Sequence, residues 1–149
     1  LGTAIILANR LGVEYEVVEA LREYDVSILE GRADPQSWQA WKEMAEAWLS
    51  HQRLEKRIEG GESYNEVHQR FVPFIERLIE EYGQSQAHLV CVGHGGLYRL
   101  MLPLVLSNLD QAFITRQGGF GYTASVTCKL TAGGLACTEW NGVKGTLFK

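Results

Sequence analysis

Apolar side chains recur at helical spacing in two long stretches of the chain. Residues 35–49 carry them at steps of three and four, directly after Asp34, which together with the following proline is typical of a helix start. Residues 64–82 show the same spacing behind Ser63 and Glu66, which form the Ser-x-x-Glu pattern of a capping box. The pattern therefore predicts two amphipathic helices, each with one face against a core.

Two shorter helices and a strand are predicted by the remaining apolar stretches. Residues 1–11 place apolar side chains near helical spacing and end at Gly12, a residue type common at helix C-termini. Residues 88–92 form a continuous apolar run of strand length, which predicts a buried parallel strand. The glycine-rich turn 93–96 and the apolar helix 97–106 follow directly. Strand, turn and helix in this order predict a βα unit.

The other stretches alternate or have no period. Residues 13–21 are β-rich and predict a short strand, whereas residues 22–32 have no clean period and predict a loop. Residues 121–140 alternate as two strands joined at residues 131–134 (Thr-Ala-Gly-Gly), which predicts a hairpin. No repeat or linker divides the chain, so we expect one α/β domain over residues 1–149.

The composition fits such a domain, because the 149 residues are 46% hydrophobic and 21% charged. A domain of this length hides enough surface to fold without disulfides or a structural metal. The formal net charge of −4 provides no basic field for a nucleic acid. No apolar run is long enough to span a bilayer, and the first residues lack the basic segment of a signal peptide. We therefore expect a cytoplasmic protein with neither a nucleic-acid nor a membrane partner.

Three cysteines, an odd number, fit a reducing compartment better than a disulfide framework. Cys91 falls within the predicted strand 88–92. Cys128 and Cys137 would face each other across the predicted hairpin, so a cross-strand disulfide is conceivable, although its geometry is demanding. Buried free thiols are the favoured interpretation.

His94 is the residue most informative about chemistry. It follows the predicted strand 88–92 and precedes a helix, with glycines on both sides. Open α/β sheets bind ligands at this position, and the helix N-terminus adds unpaired N–H groups that suit an anion such as phosphate. The alternative is a histidine that merely caps the helix, and the residues alone leave these two interpretations evenly balanced.

Three segments resemble motifs of the histidine phosphatase superfamily, the phosphoglycerate-mutase-like class. Residues 89–100 (Leu-Val-Cys-Val-Gly-His-Gly-Gly-Leu-Tyr-Arg-Leu) resemble its second-histidine motif. Residues 60–63 (Gly-Gly-Glu-Ser), followed by Arg70, resemble the element that precedes that motif. Residues 21–31 resemble the family's Leu-x-Glu, Gly, x-Glu-Gly loop, although Ser27 stands where the family usually has glycine. The resemblance covers nearly the whole chain.

The resemblance implies a two-step phosphoryl transfer through a phosphohistidine, which water then hydrolyses. Glu23 would protonate the leaving oxygen as the general acid. His94 would stabilise charge on the phosphoryl oxygens. Gly95, Glu62 and Ser63 are expected at the substrate, and no cofactor or metal is expected.

The resemblance also identifies what the chain lacks. The family's nucleophile lies in an Arg-His-Gly motif after the first strand, upstream of an Arg-x-x-x-Thr-Ala helix whose end is similar to Thr3-Ala4. Neither that motif nor the arginine of that helix is present, and His51, His68 and His88 are expected at the surface instead. The resemblance thus implies a three-layer sandwich whose mostly parallel sheet, flanked by helices, lacks its first, central strand. We expect an N-terminally truncated domain, inactive as it stands, whose intact parent is an enzyme.

Within this family, the sequence favours a phosphomonoesterase acting on a small phosphorylated metabolite. A phosphoglycerate mutase is the less favoured assignment, because a mutase must bring more positive charge to its pocket to hold a diphosphorylated intermediate. Trp38, Trp41 and Trp48 could form an apolar lid over the leaving group, although their helical spacing favours packing in the core. The sequence does not decide whether the chain forms a homodimer.

Three other assignments compete with the phosphatase. The turn 93–96 imitates the nucleophile elbow of α/β-hydrolases, but it carries histidine where that elbow needs serine. A catalytically inactive module that binds a phosphate ligand or a protein through His94 is the main alternative. A zinc site is disfavoured because no two of the four histidines share a metal-ligand spacing.

Overall fold

The computed structural model describes residues 1–50, 52–118 and 120–144. In these residues, short 3-10 turns cover Glu19–Leu21 and Ser27–Leu29. The regular elements are five α-helices and a three-stranded sheet, in the chain order α1 Gly2–Leu11, α2 Pro35–Leu49, α3 Tyr64–Tyr82, α4 Gly95–Val105, α5 Gln111–Arg116, β1 Val126–Thr131, β2 Gly134–Trp140 and β3 Val143–Lys144.

Local signals place the two long helices where the pattern predicts them. Helix α2 begins after Asp34, whose side chain accepts a hydrogen bond from the Ser37 backbone N–H. Helix α3 begins with the complete capping box, in which Ser63 and Glu66 each accept from the other's backbone N–H. Helix α1 ends at Gly12 in the left-handed conformation. All four predicted helices are confirmed. Their ends can be predicted from the sequence because a helix cap depends on residues within one turn.

The main core lies where α2, α3 and α4 meet. Each of these helices contributes fully buried apolar side chains from one face, as amphipathic helices do. The indole of Trp48 also donates a 2.7 Å hydrogen bond to the Lys56 carbonyl, which satisfies its polar atom inside the core. The fully buried members from the three helices are Met44, Trp48, Val67, Phe71, Leu97 and Met101.

A second core cluster joins α5 to the sheet. Strands β1 and β2 form the predicted hairpin, and Cys128 pairs with Cys137 in its antiparallel register. The Asn108 side chain donates to the Cys137 carbonyl and accepts from the Cys137 N–H, so it imitates a neighbouring strand along β2. The members of this cluster are Leu106, Leu109, Phe113, Ile114, Cys137 and Trp140.

The two predicted strands at residues 13–21 and 88–92 are not strands in the structure. Leu89 and Val90 expose 48% and 66% of their surface, and Cys91 is exposed, so the buried parallel strand was a wrong prediction. A strand needs a neighbour to satisfy its backbone groups, and the described residues supply none at either segment. The sheet that does form is antiparallel, and a mostly parallel sheet in a three-layer sandwich is not confirmed.

Several predictions about single residues can be compared with this fold. His68 and His88 are exposed, as predicted, and His51 lies outside the described residues. Cys128 and Cys137 are cross-strand partners and both are free thiols, with Cys137 buried. None of the helices in the described ranges has the length and apolarity needed to cross a membrane.

Candidate active site

Glu23 lies at the N-terminus of α4, the helix whose N-cap residue is His94. The Glu23 Oε2 atom accepts a 3.1 Å hydrogen bond from the Gly96 backbone N–H, 73 positions along the chain. Its other oxygen accepts from the Tyr24 N–H at 3.2 Å. A carboxylate is stabilised at a helix N-terminus by the unpaired N–H groups and the partial positive charge there. The Glu23 carboxyl group thus bonds the chain two residues after His94, the histidine of the segment that resembles the family motif.

His94 is the N-cap residue of α4, but its side chain does not cap the helix. Its backbone is extended, with φ −113° and ψ 149°, and the imidazole makes no capping hydrogen bond. The side chain is exposed. This geometry removes the capping interpretation and leaves the imidazole free to face a ligand.

Two glycines permit the Glu23 loop to lie so close to its neighbours. A Cβ atom at Gly96 would stand 2.7 Å from Glu23 Oε2, and one at Gly61 would stand 2.4 Å from the Asp25 carbonyl oxygen. Both distances are shorter than real contacts allow, and the second is to backbone, which cannot move aside. Glycine at residues 61 and 96 is therefore what lets the loop pack between α3 and α4.

Arg70 on α3 holds the loop that carries Glu23 in place. Its Nε and Nη2 atoms bond both oxygens of Glu62, at 2.8 and 3.1 Å, in the bidentate arrangement that guanidinium and carboxylate favour. Its Nη1 atom donates to the carbonyl oxygens of Glu19, Ala20 and Arg22, at 2.9 to 3.1 Å. The loop backbone before Glu23 is therefore held at three carbonyl groups by one side chain.

Glu62 completes this clamp, which consists of Arg70, Glu62 and the loop 19–25. Its Oε2 atom accepts from the Asp25 N–H at 2.9 Å, and Arg22 lies 3.2 Å from its Oε1 atom. Burial raises the pKa of Glu62, but the hydrogen bonds from Arg70 and Asp25 and the positive charges of Arg70 and Arg22 outweigh it, so the pKa is lowered overall. Glu62 is therefore charged in the folded protein at neutral pH.

The predicted substrate contacts do not all lie at the site. Gly95 is exposed at the first turn of α4, beside His94. Ser63 is fully buried and its hydroxyl belongs to the α3 capping box, so it has no accessible side chain with which to reach a substrate. Glu62 is directed at Arg70 rather than at α4. The sequence reasoning missed this clamp, although two close glycines and an arginine within an amphipathic helix were signals of it.

The backbone of Ser27 explains why the family usually has glycine there. Ser27 adopts φ 42°, in the left-handed region, which costs a residue with a Cβ atom roughly 1–2 kcal/mol. Its N–H donates to Asp25 Oδ1 at 2.6 Å, which keeps the turn closed despite this strain. The turn thus takes a left-handed conformation at a residue that is not glycine.

Replacing Ser27 with glycine should raise the free energy of unfolding by about 0.5–1 kcal/mol. The relief of the left-handed strain exceeds the extra freedom that glycine has in the unfolded chain. Urea unfolding of the wild type, Ser27→Gly and Ser27→Val would measure it, and the valine variant should lose stability. A glycine variant less stable than the wild type would show that the hydroxyl, rather than the backbone angle, determines this turn.

A cleft of about 390 Å³ lies beside Glu23 and is lined by residues of the loop and of the start of α2. Trp38 and Trp41 line it, Trp41 also packs against the main core, and Trp48 is fully buried, so core packing is confirmed for Trp48 while an apolar lid over a leaving group stays a prediction. The Trp41 indole donates to the Tyr24 hydroxyl at 3.1 Å. Burial raises the pKa of Tyr24 to about 12, so this hydroxyl stays neutral.

Metal ligands are not grouped at this site. Across the residues with described positions, no set of three or more histidine, cysteine, aspartate or glutamate side chains could hold a metal ion. The chemistry available here is that of one carboxyl group, one imidazole and the N–H groups of a helix end.

Comparisons with known proteins address the family and the fold of the chain. The family model described as histidine phosphatase superfamily (branch 1) matches residues 1–142. A mycobacterial glucosyl-3-phosphoglycerate phosphatase with inorganic phosphate is 24% identical, with a TM-score of 0.68 over 93% of this chain and 70% of that chain. The same enzyme with VO3 gives 24% identity and a TM-score of 0.71 over 95% and 70%.

A third solved structure, described as mycobacterial hydrolase 1, is 24% identical with a TM-score of 0.67, over 96% of this chain and 72% of that chain. No curated protein sequence matches the chain significantly. At this level of identity, the solved structures show a shared fold.

Proposed function

The chain belongs to the histidine phosphatase superfamily, and on that premise we propose that it is the acid and phosphate-binding part of a phosphomonoester hydrolase. The hydrogen bond from Gly96 to Glu23 carries the proposal, because it brings a carboxyl group to the helix end that bears His94. Besides a nucleophile, cleavage of a phosphate ester needs an acid for the leaving oxygen and a group that stabilises the phosphoryl oxygens, and we assign these roles to Glu23 and His94. The substrate class is a small phosphorylated metabolite.

In the proposed reaction the phosphoryl group lies at the N-terminus of α4. There the imidazole of His94 and the backbone N–H group of Gly95 stabilise the charge on its oxygens. A histidine nitrogen attacks phosphorus and the bond to the leaving oxygen breaks, while Glu23 gives that oxygen its proton. Water then attacks the phosphohistidine, and the Glu23 carboxylate accepts a proton from that water.

The nucleophilic histidine in this proposal is carried by a segment that is not among the 149 residues. None of the four histidines stands in an Arg-His-Gly sequence. Two extended apolar segments of the described structure also lack a neighbour, and they expose Val13 and Val17 in one and Leu89 and Val90 in the other. A strand placed against residues 88–92 would cover apolar surface and satisfy backbone groups there, which supports the proposal.

The charges around the cleft favour a phosphatase over a mutase. Glu23 and Glu30 line it with a single guanidinium, that of Arg32, and Arg32 is already paired with Asp34 at 3.1 Å. A second phosphate group would need several unpaired cations there. The cleft therefore suits an uncharged leaving group better than a diphosphorylated molecule.

Hydrolysis of p-nitrophenyl phosphate tests the proposal. The 149-residue chain should show no turnover above that of its His94→Ala variant, because it holds no nucleophile. A version extended with the upstream coding region should hydrolyse the ester and form an acid-labile phosphoprotein during turnover. An extended protein that neither turns over nor becomes labelled would contradict the proposal and favour an inactive module that binds a phosphate ligand.

A further inference from the structure

The cleft beside Glu23 has walls that can recognise a ring. Its volume of about 390 Å³ is within the range of small-molecule sites. Trp38 and Trp41 stand edge to face, with ring centroids 5.9 Å apart and planes at 82°. A flat ring that stacks on one indole can therefore contact the second indole as well.

The two tryptophans differ in how they are held. Trp41 is half-buried and fixed by its hydrogen bond to the Tyr24 hydroxyl, whereas Trp38 leaves 59% of its surface exposed. Trp41 therefore forms a fixed wall of the cleft, and Trp38 forms a wall that can adjust to a ligand. The exposed face of Trp38 is apolar surface that a ligand could cover.

Glu23 joins this cleft to the end of α4. Glu23 is one of the residues that line the cleft, and its carboxyl group accepts the hydrogen bond from Gly96. If Glu23 protonates the leaving oxygen, as the proposed function holds, the phosphoryl group lies on the His94 side of that carboxyl. The alcohol attached to the leaving oxygen then extends into the cleft on the other side.

We propose that this cleft is the leaving-group subsite, and that Trp38 and Trp41 select phosphate monoesters whose alcohol carries an uncharged six-membered ring. This inference rests on the proposed function and adds the substrate class. Glu23, Glu30 and Arg32 in the lining provide hydrogen-bonding groups for ring hydroxyls, and with two carboxylates to one guanidinium they create no positive field that would attract a strongly anionic leaving group.

The indole N–H signals of the 149-residue chain in ¹H–¹⁵N NMR spectra provide the test. Phenyl phosphate and glucose 6-phosphate should shift the signals of Trp38 and Trp41, and the buried Trp48 and Trp140 serve as internal controls that stay in place. Glycerol 3-phosphate and inorganic phosphate should shift only the amide signals at Gly95 and Gly96. If phenyl phosphate gives the larger shifts, the leaving group is aromatic; if glucose 6-phosphate gives the larger shifts, it is a sugar. Either order supports the inference.

Variants on α2 sharpen the test. Trp38→Ala should weaken binding of the ring phosphates about three- to tenfold, which is the range expected for loss of one stacked ring, and Trp38→Phe should retain it. Gln39→Ala is the matched control, since Gln39 is exposed on the same helix and bonds Glu43 rather than lining the cleft.

Two failures can be told apart. If phosphate shifts the Gly95 and Gly96 amides while no ring phosphate moves the Trp38 or Trp41 signal, the subsite is wrong and the proposed function stands. If no phosphate compound changes any signal at the N-terminus of α4, the proposed function fails and the inference fails with it.

Discussion

Replacing Arg70 with alanine should lower the free energy of unfolding by about 3–4 kcal/mol, which is a large share of a small domain's stability. The change removes two hydrogen bonds to Glu62 and three to loop carbonyls, and it leaves a mostly buried carboxylate with only Arg22 for a charged partner. Each side chain of the Arg70 and Glu62 pair is only 16% exposed, so solvent cannot replace these bonds easily. Urea unfolding followed by circular dichroism would measure the loss.

Arg57→Ala is the control for that experiment. Arg57 pairs with Glu66 at 3.0 Å, which is a short distance for an ion pair, but both side chains are more than 40% exposed. Its removal should therefore cost less than about 1 kcal/mol. Equal losses in the two variants would show that burial of the Arg70 clamp contributes nothing.

The pH dependence of stability gives a second check on the clamp. Because the pKa of Glu62 is lower in the folded protein than in the unfolded chain, its contribution is complete above the unfolded pKa and is lost as the pH falls through the folded pKa. The difference in stability between the wild type and Arg70→Ala should shrink as the pH is lowered below about 4. A difference that stays constant down to pH 2 would contradict the assigned role of Glu62.

Replacing Glu23 with glutamine should slow hydrolysis of alkyl phosphates by about 10²–10⁴-fold in the extended, active version of the chain. Glutamine fits the same space and can still accept from the Gly96 N–H, but it cannot give a proton to a leaving oxygen. The effect should be much smaller for p-nitrophenyl phosphate, because p-nitrophenolate leaves without needing that proton. Steady-state rates with both substrates would measure this difference.

Glu80→Gln controls for the loss of a carboxylate elsewhere, since Glu80 is exposed on α3. It should leave both rates unchanged. If Glu23→Gln slowed the two substrates by the same factor, Glu23 would act in binding or in folding, and another group would have to be the acid.

How far the sequence predicts this structure depends on the range of the interactions involved. The helix starts at Asp34 and Ser63 and the turn at residues 131–134 were predicted correctly, because each depends on residues within a few positions. The strand at residues 88–92 was not, because a strand forms only with a neighbour, and the apolar run alone cannot show whether one is present.

In the candidate site too, what the sequence predicts depends on the range of the interactions. The resemblance named Glu23 and His94, and the fold brings the Glu23 carboxyl to the helix that begins at His94. The clamp made by Arg70 could not be read from spacing, because it joins residues about 50 positions apart through loop carbonyls that have no sequence signature. The local signals of that packing were the two adjacent glycines, of which Gly61 lies against the Asp25 carbonyl, and an arginine within an amphipathic helix.

The position of the clamp divides the site between two parts of the fold. Arg70 and Glu62 hold the Glu23 loop from the α3 side, whereas the ring-lined cleft belongs to α2 on the opposite side of that carboxyl. Substitutions at the exposed Trp38 can therefore accumulate without removing a bond of the clamp that holds the Glu23 loop. A scaffold of this kind can change the lining of its cleft while the loop that carries Glu23 stays anchored, so Trp38 is a position that can vary in evolution at little cost to the fold.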